Sequence, residues 1–426
     1  MLLKSQKQYK REIVDTIYLF AIQGVNYVFP LLVFSYLMIT LGAEKFGYIG
    51  FSFSVIQYLM LIVDFGFNLS ATKRIALHVH DSDEISRIAS STLLAKIGLL
   101  MVSVVILLIV AFAIPKFSIY RETLFIMFTM VIANVFSFIW LFQGLGNIRT
   151  ASFINIISKA LILPLTFVFV KSPDDYLIAA SIQSGVYVLG AMITVVVIAK
   201  KQYIKRWYRS TMEEIKSELS ASYPIFLSTA AVSIYWASYA IILAYFSDSV
   251  EVGKYSAVEK IMRGFASLIL VPVTQSFYPK ISALSVNNAP AATKLVRKIS
   301  IFVLALSVIV FVLMFFFSGY LVRFLGDEYN GTLILFKIMS VTPIFIVLGG
   351  VYGQFGILAM GTDSDKKYFQ RTYFIAGFIA LVSIFLLSPF FQSVGAAISL
   401  VITEFSVFVG MFYYGRKYIF QKLNSN

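Results

Sequence analysis

The chain has 426 residues, 59% apolar and 13% charged, with a mean hydropathy of +0.85, whereas an ordinary soluble domain is roughly 45–50% apolar and 25% charged. A water-soluble fold of this size could not hide so much apolar surface, which leaves a polytopic membrane protein. The lack of cysteine excludes disulfides, Cys-bound zinc and a thiol nucleophile, and the net charge of +14 fits basic loops on an anionic leaflet better than a nucleic-acid-binding face.

The N-terminal MLLKSQKQYKRE is basic and polar. No small-residue cleavage site follows the first apolar run, so that run is expected to remain as a helix. Apolar patterning predicts twelve spanning helices at 15–40, 47–70, 90–114, 122–144, 151–170, 176–199, 223–246, 253–276, 298–322, 332–358, 371–391 and 394–414. Pro115, Pro173 and Pro389 mark turns on one side, and Gly144 and Gly146 a turn on the other. With the N-terminus inside, 24 Lys and Arg residues fall on the inner side and 6 on the outer. That four-to-one bias orients the chain with both termini cytoplasmic. His78 and His80 fall in an inner loop.

The longest linker, KKQYIKRWYRSTMEEIKSELSAS at 200–222, divides the chain into N-terminal (1–199) and C-terminal (223–426) six-helix bundles. Ile204, Tyr208, Met212, Ile215 and Leu219 recur in it at helical spacing, as expected of an amphipathic helix on the inner leaflet. The two halves read as a parallel internal repeat. LGAEKFGYIGFSFSVIQYLMLIVDFG at 41–66 can be set against FSDSVEVGKYSAVEKIMRGFASLILV at 246–271, each with an acidic turn and a glycine before the second helix of its half.

Ionisable residues inside spans are costly and mark candidate sites. The eighth span carries Glu259, Lys260 and Arg263, with Glu259 and Arg263 at i,i+4 on one face. Arg263 lies about 15 Å from the outer end, near the midplane. The cluster is either a salt bridge holding helices together or the lining of a hydrated cavity. Lys159 either reaches that cavity or snorkels, and Lys96 and Lys337, nearer helix ends, are expected to snorkel. Asp64 and Glu404 either carry a coupling proton or cation or make satisfied interhelical hydrogen bonds. Gln23, Asn26, Gln57 and Gln183 are expected to bind helices together. No nucleophile elbow, phosphate loop or metal cluster is present, so neither an enzyme nor a metal site is expected. Five bases against three acids within the spans favour an anionic substrate, and Lys and Arg suit phosphate or pyrophosphate.

The run from Pro30 through LGAEKFG to DFGFNLSATKRIA resembles the opening of Wzx-type polysaccharide-unit flippases of the MATE-like MOP superfamily, and YSAVEKI at 255–261 resembles that family's eighth helix. The resemblance implies two six-helix bundles around a central cavity and alternating access. The implied cargo is an undecaprenyl-pyrophosphate-linked oligosaccharide repeat unit, O-antigen or capsule, carried across the bacterial inner membrane. On that reading Arg263 and Lys260 attract the pyrophosphate, Lys159 assists from the other bundle, and Glu259 holds Arg263 when substrate is absent. The expected partners are the lipid-linked substrate, membrane lipids and other polysaccharide-assembly proteins, not nucleic acid. A monomer suffices, and no cofactor is expected beyond a coupling proton or sodium ion. The competing reading, a cation-coupled multidrug exporter of the same superfamily, calls for an acidic cavity.

Overall fold

The computed structural model describes residues 29–420, and every regular element in that range is helical. Gln23, Asn26 and the first half of the first predicted span lie outside the described residues. The stretch Phe29–Asp64 is broken at Gly42, whose φ of 69° is readily adopted only by glycine. It forms two arms, α1 (29–41) and α2 (43–64), that lie side by side. The rings of Phe34 and Phe53 are 6.3 Å apart, where a straight helix would hold them about 28 Å apart. The second predicted span ends at Asp64 rather than at 70, because Phe65 (φ 41°) and Gly66 (φ 84°) both leave the helical region before α3 (Phe67–Leu77) begins.

Next come α4 (Ser82–Leu108), α5 (Arg121–Val135) and α6 (Ile139–Gly144). The predicted 122–144 helix is thus interrupted around Phe138 (φ 44°). α7 (Ile148–Ala160), α8 (Ile162–Phe169) and α9 (Tyr176–Lys201) complete the first half. The expected amphipathic helix over 200–222 is not continuous. Gln202 (φ 50°) ends α9 and residues 203–211 are not helical. In that segment the backbone N–H groups of Lys205 and Tyr208 donate to the hydroxyls of Ser86 and Ser90, partners a helix would deny them. Thr211 then caps α10 (Met212–Phe246), accepting from the N–H of Glu214 while the Glu214 carboxylate answers the Thr211 N–H.

The second half continues with α11 (Ser249–Asn287), which runs past its predicted end at 276 with Pro272 and Pro279 inside it. α12 (Ala289–Phe316), α13 (Ser318–Leu325), α14 (Leu333–Met339) and α15 (Thr342–Val351) follow. The stretch Lys366–Phe420 turns back at Gln392 (φ 48°), three residues after Pro389, into α16 (366–391) and α17 (393–420). The Ser383 and Ser399 hydroxyls are hydrogen-bonded across that pair. Among the described residues, eight helical stretches are long and apolar enough to cross a membrane, two of them containing these turn-backs. The apolar side chains α4 and α12 leave exposed, among them Met101, Val105, Ile301 and Phe302, form a surface suited to lipid. The chain is a multi-pass helical membrane protein.

The halves meet where α2 crosses α11, and the crossing is reciprocal. A Cβ on Gly47 would lie 2.0 Å from the Ser249 carbonyl oxygen, and a Cβ on Gly253 would lie 1.8 Å from the Ala43 carbonyl oxygen. A Cβ on Gly50 would lie 2.6 Å from the Ser256 hydroxyl. Gly47 and Gly253, Ala43 and Ser249, and Gly50 and Ser256 are each 206 residues apart. Small residues four apart on both helices let the backbones touch, and a local two-fold axis runs between the two glycines. At the same end the Glu328 carboxylate accepts from the Ala43 N–H at 2.8 Å. This is called the Gly42 end below, and the opposite one the linker end.

Candidate functional site

Below the glycine crossing, α1, α2, α10 and α11 diverge around a cavity of about 540 Å³. Its apolar wall includes Phe34, Phe53 and Trp236, and Gln57, Tyr58 and Ser267 are among its polar groups. Glu259, Lys260 and Arg263 complete the charged side. Of the two readings left open for the α11 cluster, the structure shows features of both: all three residues line a cavity, and Glu259 and Arg263 are paired. The register of 206 residues that relates Gly47 to Gly253 also relates Gln57 to Arg263. Gln57 was expected to join helices, and it stands instead on the cavity wall. The repeat register is the signal that could have placed it there.

Arg263 Nε donates to Glu259 Oε1 at 2.9 Å, and Nη1 lies 3.6 Å from Glu404 Oε1, too far for a hydrogen bond. The guanidinium carbon is 4.3 Å from the centre of the Trp236 ring. Nη1 and Nη2 are shut off from solvent yet make no hydrogen bond among the described residues. Buried donors in a native fold almost always find an acceptor. Here two of them sit on a delocalised cation whose side chain lines the cavity. Lys260 Nζ lies 4.4 Å from the centre of the Phe34 ring and 4.6 Å from that of Phe53. It makes no ion pair within 4 Å among the described residues. Both cations are held by aromatic faces, which attract positive charge without satisfying hydrogen-bond donors. A phosphate could therefore take those donors, in bidentate fashion at Arg263.

Glu404 was singled out by depth alone, and the structure brings it from α17 to Arg263. Two other candidates lie elsewhere. Lys159 does not reach the Arg263 cavity. It lines a separate cavity of about 190 Å³ inside the first half, together with Asp64, Asn68, Asn134 and Asn155. It is carried there on the last turn of α7, which packs mainly against α6, α8 and α9 of the first half. Asp64 Oδ1 is 3.4 Å from Lys96 Nζ, and its Oδ2 accepts from the Asn68 amide at 3.1 Å. Lys96 does not snorkel: it is 0% exposed and also donates to the backbone oxygen of Asn134 at 2.9 Å and to its side-chain oxygen at 3.1 Å. Three acceptors converge on its ammonium group, so the side chain has a polar destination without reaching the interface. Lys337 is exposed, as snorkelling requires.

One contact was not foreseen. Near the linker end, Arg74 on α3 pairs with Glu218 on α10, which is 2% exposed and also accepts from the Ser91 hydroxyl at 2.8 Å. The Ser70 and Ser222 hydroxyls are 2.6 Å apart, and the Phe65 and Phe226 rings stack at 4.4 Å. Sequence placed Arg74 among loop cations and Glu218 in a linker, and neither position signals a partner about 140 residues away.

Residues 13–285 match the family described as "Polysaccharide biosynthesis protein". The chain belongs to that family. A curated relative from Escherichia coli (strain K12), named "Putative O-antigen transporter", is 33% identical over 92% of this chain and 93% of its own length. Among solved structures, the inward-facing conformation of a multidrug resistance MATE family transporter of the MOP superfamily superposes with a TM-score of 0.73 at 14% identity, covering 95% of this chain and 96% of that one. The lipid II flippase MurJ in an inward closed conformation gives 0.71 at 12% identity, covering 94% of this chain and 90% of that one. At these identities the likeness establishes a shared fold, the MATE-like MOP fold expected from the sequence.

Proposed function

We propose that this family member is a flippase that carries a lipid-linked oligosaccharide repeat unit, bound through its pyrophosphate, across the bacterial inner membrane by alternating access. The observation that carries the reading is the pair of buried Arg263 donors without acceptors, on a side chain that lines a cavity between the two halves. The name of the Escherichia coli relative supports a cargo of the O-antigen type. The excess of Lys and Arg at the linker end supports a cytoplasmic orientation for that end, and on this reading loading takes place from that side. Arg263 and Lys260 hold the pyrophosphate, Glu259 steadies Arg263 in its absence, and the lipid tail stays in the bilayer between the halves. The sealed glycine crossing at the Gly42 end then opens to release the sugar outward. An exporter of organic cations would need an acidic cavity, and the wall here has two cations and one carboxylate.

The test is made in a deletion strain of the source bacterium. The strain should accumulate undecaprenyl-pyrophosphate-linked repeat units and lose surface polysaccharide. The intact gene should reverse both effects. Arg263→Ala should insert in the membrane at normal levels and reverse neither. A deletion strain without accumulation, or an Arg263→Ala protein with full activity, would overturn the reading.

A further inference from the structure

Glu404 is a carboxylate inside the fold with one cationic partner. Its side chain is 3% exposed, and its Oε1 accepts no hydrogen bond among the described residues. Arg263 Nη1, at 3.6 Å, answers its charge without bonding to it. The other titratable groups facing it are Glu259 and Tyr255 on α11, Tyr235 and Tyr239 on α10, and Tyr373 on α16. None of these can supply positive charge. Tyr239 already donates its hydroxyl proton to Thr403 at 2.7 Å. Arg263 is therefore shared between Glu259, bonded at 2.9 Å, and Glu404, which it holds loosely.

A phosphate entering the cavity competes for that same guanidinium. Short charge-assisted hydrogen bonds to Nη1 and Nη2 are stronger than an ion pair at 3.6 Å. The phosphate displaces Glu404 and leaves it buried with no counter-charge. A buried carboxylate in that position is far cheaper as the neutral acid. We propose that Glu404 is an exchangeable counter-anion of Arg263, taking up one proton from solution as a substrate phosphate displaces it and releasing that proton when the Arg263–Glu404 pair re-forms. Each cargo molecule would then bind together with one proton. The inference rests on reading the cavity as a pyrophosphate site.

The experiment measures binding of farnesyl-pyrophosphoryl-N-acetylglucosamine to the purified full-length protein by calorimetry, in buffers of different ionisation enthalpy. A pyrophosphate esterified at both ends does not titrate near neutral pH, so any proton uptake belongs to the protein. Uptake of about one proton per bound molecule is expected, with affinity rising toward about tenfold per unit fall in pH across the linked window. Glu404→Gln should still bind, with no uptake and a flat pH profile. Infrared difference spectra of the wild type provide a check that does not depend on the variant folding: binding should convert a carboxylate band to a carboxylic acid band. Binding without proton uptake, absence of the acid band, or unchanged uptake in Glu404→Gln would overturn this inference and leave the pyrophosphate site standing. Failure of the wild type to bind the probe would overturn both.

Discussion

Lys96 and Arg263 are both cations drawn deep into an apolar fold, one within the first half and one between the halves. Lys96 Nζ has acceptors on Asp64 and twice on Asn134, within 3.4 Å. Arg263 has one hydrogen bond, one loose ion pair, an aromatic face and two donors without acceptors. The cavity lined by the Lys96 partners Asp64 and Asn134, and by Lys159, is about 190 Å³, and that lined by Arg263 about 540 Å³. Burial does not distinguish structural from functional charge here; the accounting of donors does. A fully satisfied cation holds helices together, whereas one with donors left over, on a side chain lining a cavity, is where the proposed ligand is placed.

The largest expected effect separates the two centres by stability. Lys96→Met leaves Asp64 without its counter-charge and Asn134 without its donor, at a cost of about 3–5 kcal/mol. It should appear as a lowered melting temperature in detergent and loss of monodisperse protein. Arg263→Lys keeps a charge between Glu259 and Glu404 but cannot grip a phosphate bidentately. It should melt close to the wild type and lose transport about ten- to a hundredfold, the worth of one charge-assisted hydrogen bond. Equal stability losses in the two variants would erase the distinction.

A smaller effect tests access. The Arg263 cavity lies beneath the Gly47–Gly253 crossing, and the cavity lined by Asp64, Asn155 and Lys159 lies within one half. Gly253→Val puts a branched side chain where the Ala43 carbonyl oxygen would be 1.8 Å from its Cβ, so α2 and α11 must part at the Gly42 end. Because the chain has no cysteine of its own, Gln57→Cys and Asn155→Cys report on the two cavities separately. With Gly253→Val added, labelling of the first by a membrane-impermeant maleimide applied from the Gly42 side should speed up about tenfold, a shift of about 1.4 kcal/mol in the opening equilibrium. Labelling of the second should not change, and equal acceleration of both would mean that the crossing does not act as a local seal.

Much of this was legible in the sequence, for identifiable reasons. Length, hydropathy and the repeat of an acidic turn before a glycine are local properties, and they lead to a polytopic fold with two related halves; the register that pairs Gly47 with Gly253 emerges only where the two helices touch. The Glu259–Arg263 pair follows from spacing on one helix. What sequence could not show depends on which helix neighbours which. Glu404 reaches Arg263 only because α17 packs beside the cavity, and Lys159 misses it because α7 faces its own half. Lys96 looked like a snorkelling residue until Asp64 and Asn134 arrived from two other helices. Helix ends failed where a single backbone angle decides them, as at Phe65 and Phe138, and where the 203–211 backbone found side-chain acceptors on α4.

The smallest expected effect is the most searching test of the comparison. If Lys96 and Asp64 serve only each other, removing both charges together should cost far less than removing one, since buried ion pairs are often neutral to replace as a pair. Lys96→Met with Asp64→Asn keeps an acceptor for the Asn68 amide and leaves only the Asn134 acceptors without a donor. That should place the double variant within about 1–3 kcal/mol of the wild type, the cost of an unsatisfied polar group, and above Lys96→Met alone. Surface polysaccharide should then return to nearly normal in the deletion strain. A double variant that folds and inserts but does not transport would show that Asp64 has work beyond answering Lys96, carrying a coupling proton or cation within the first half. The first-half centre would then be part of the transport cycle, and the count of satisfied donors would no longer suffice to tell scaffold from site.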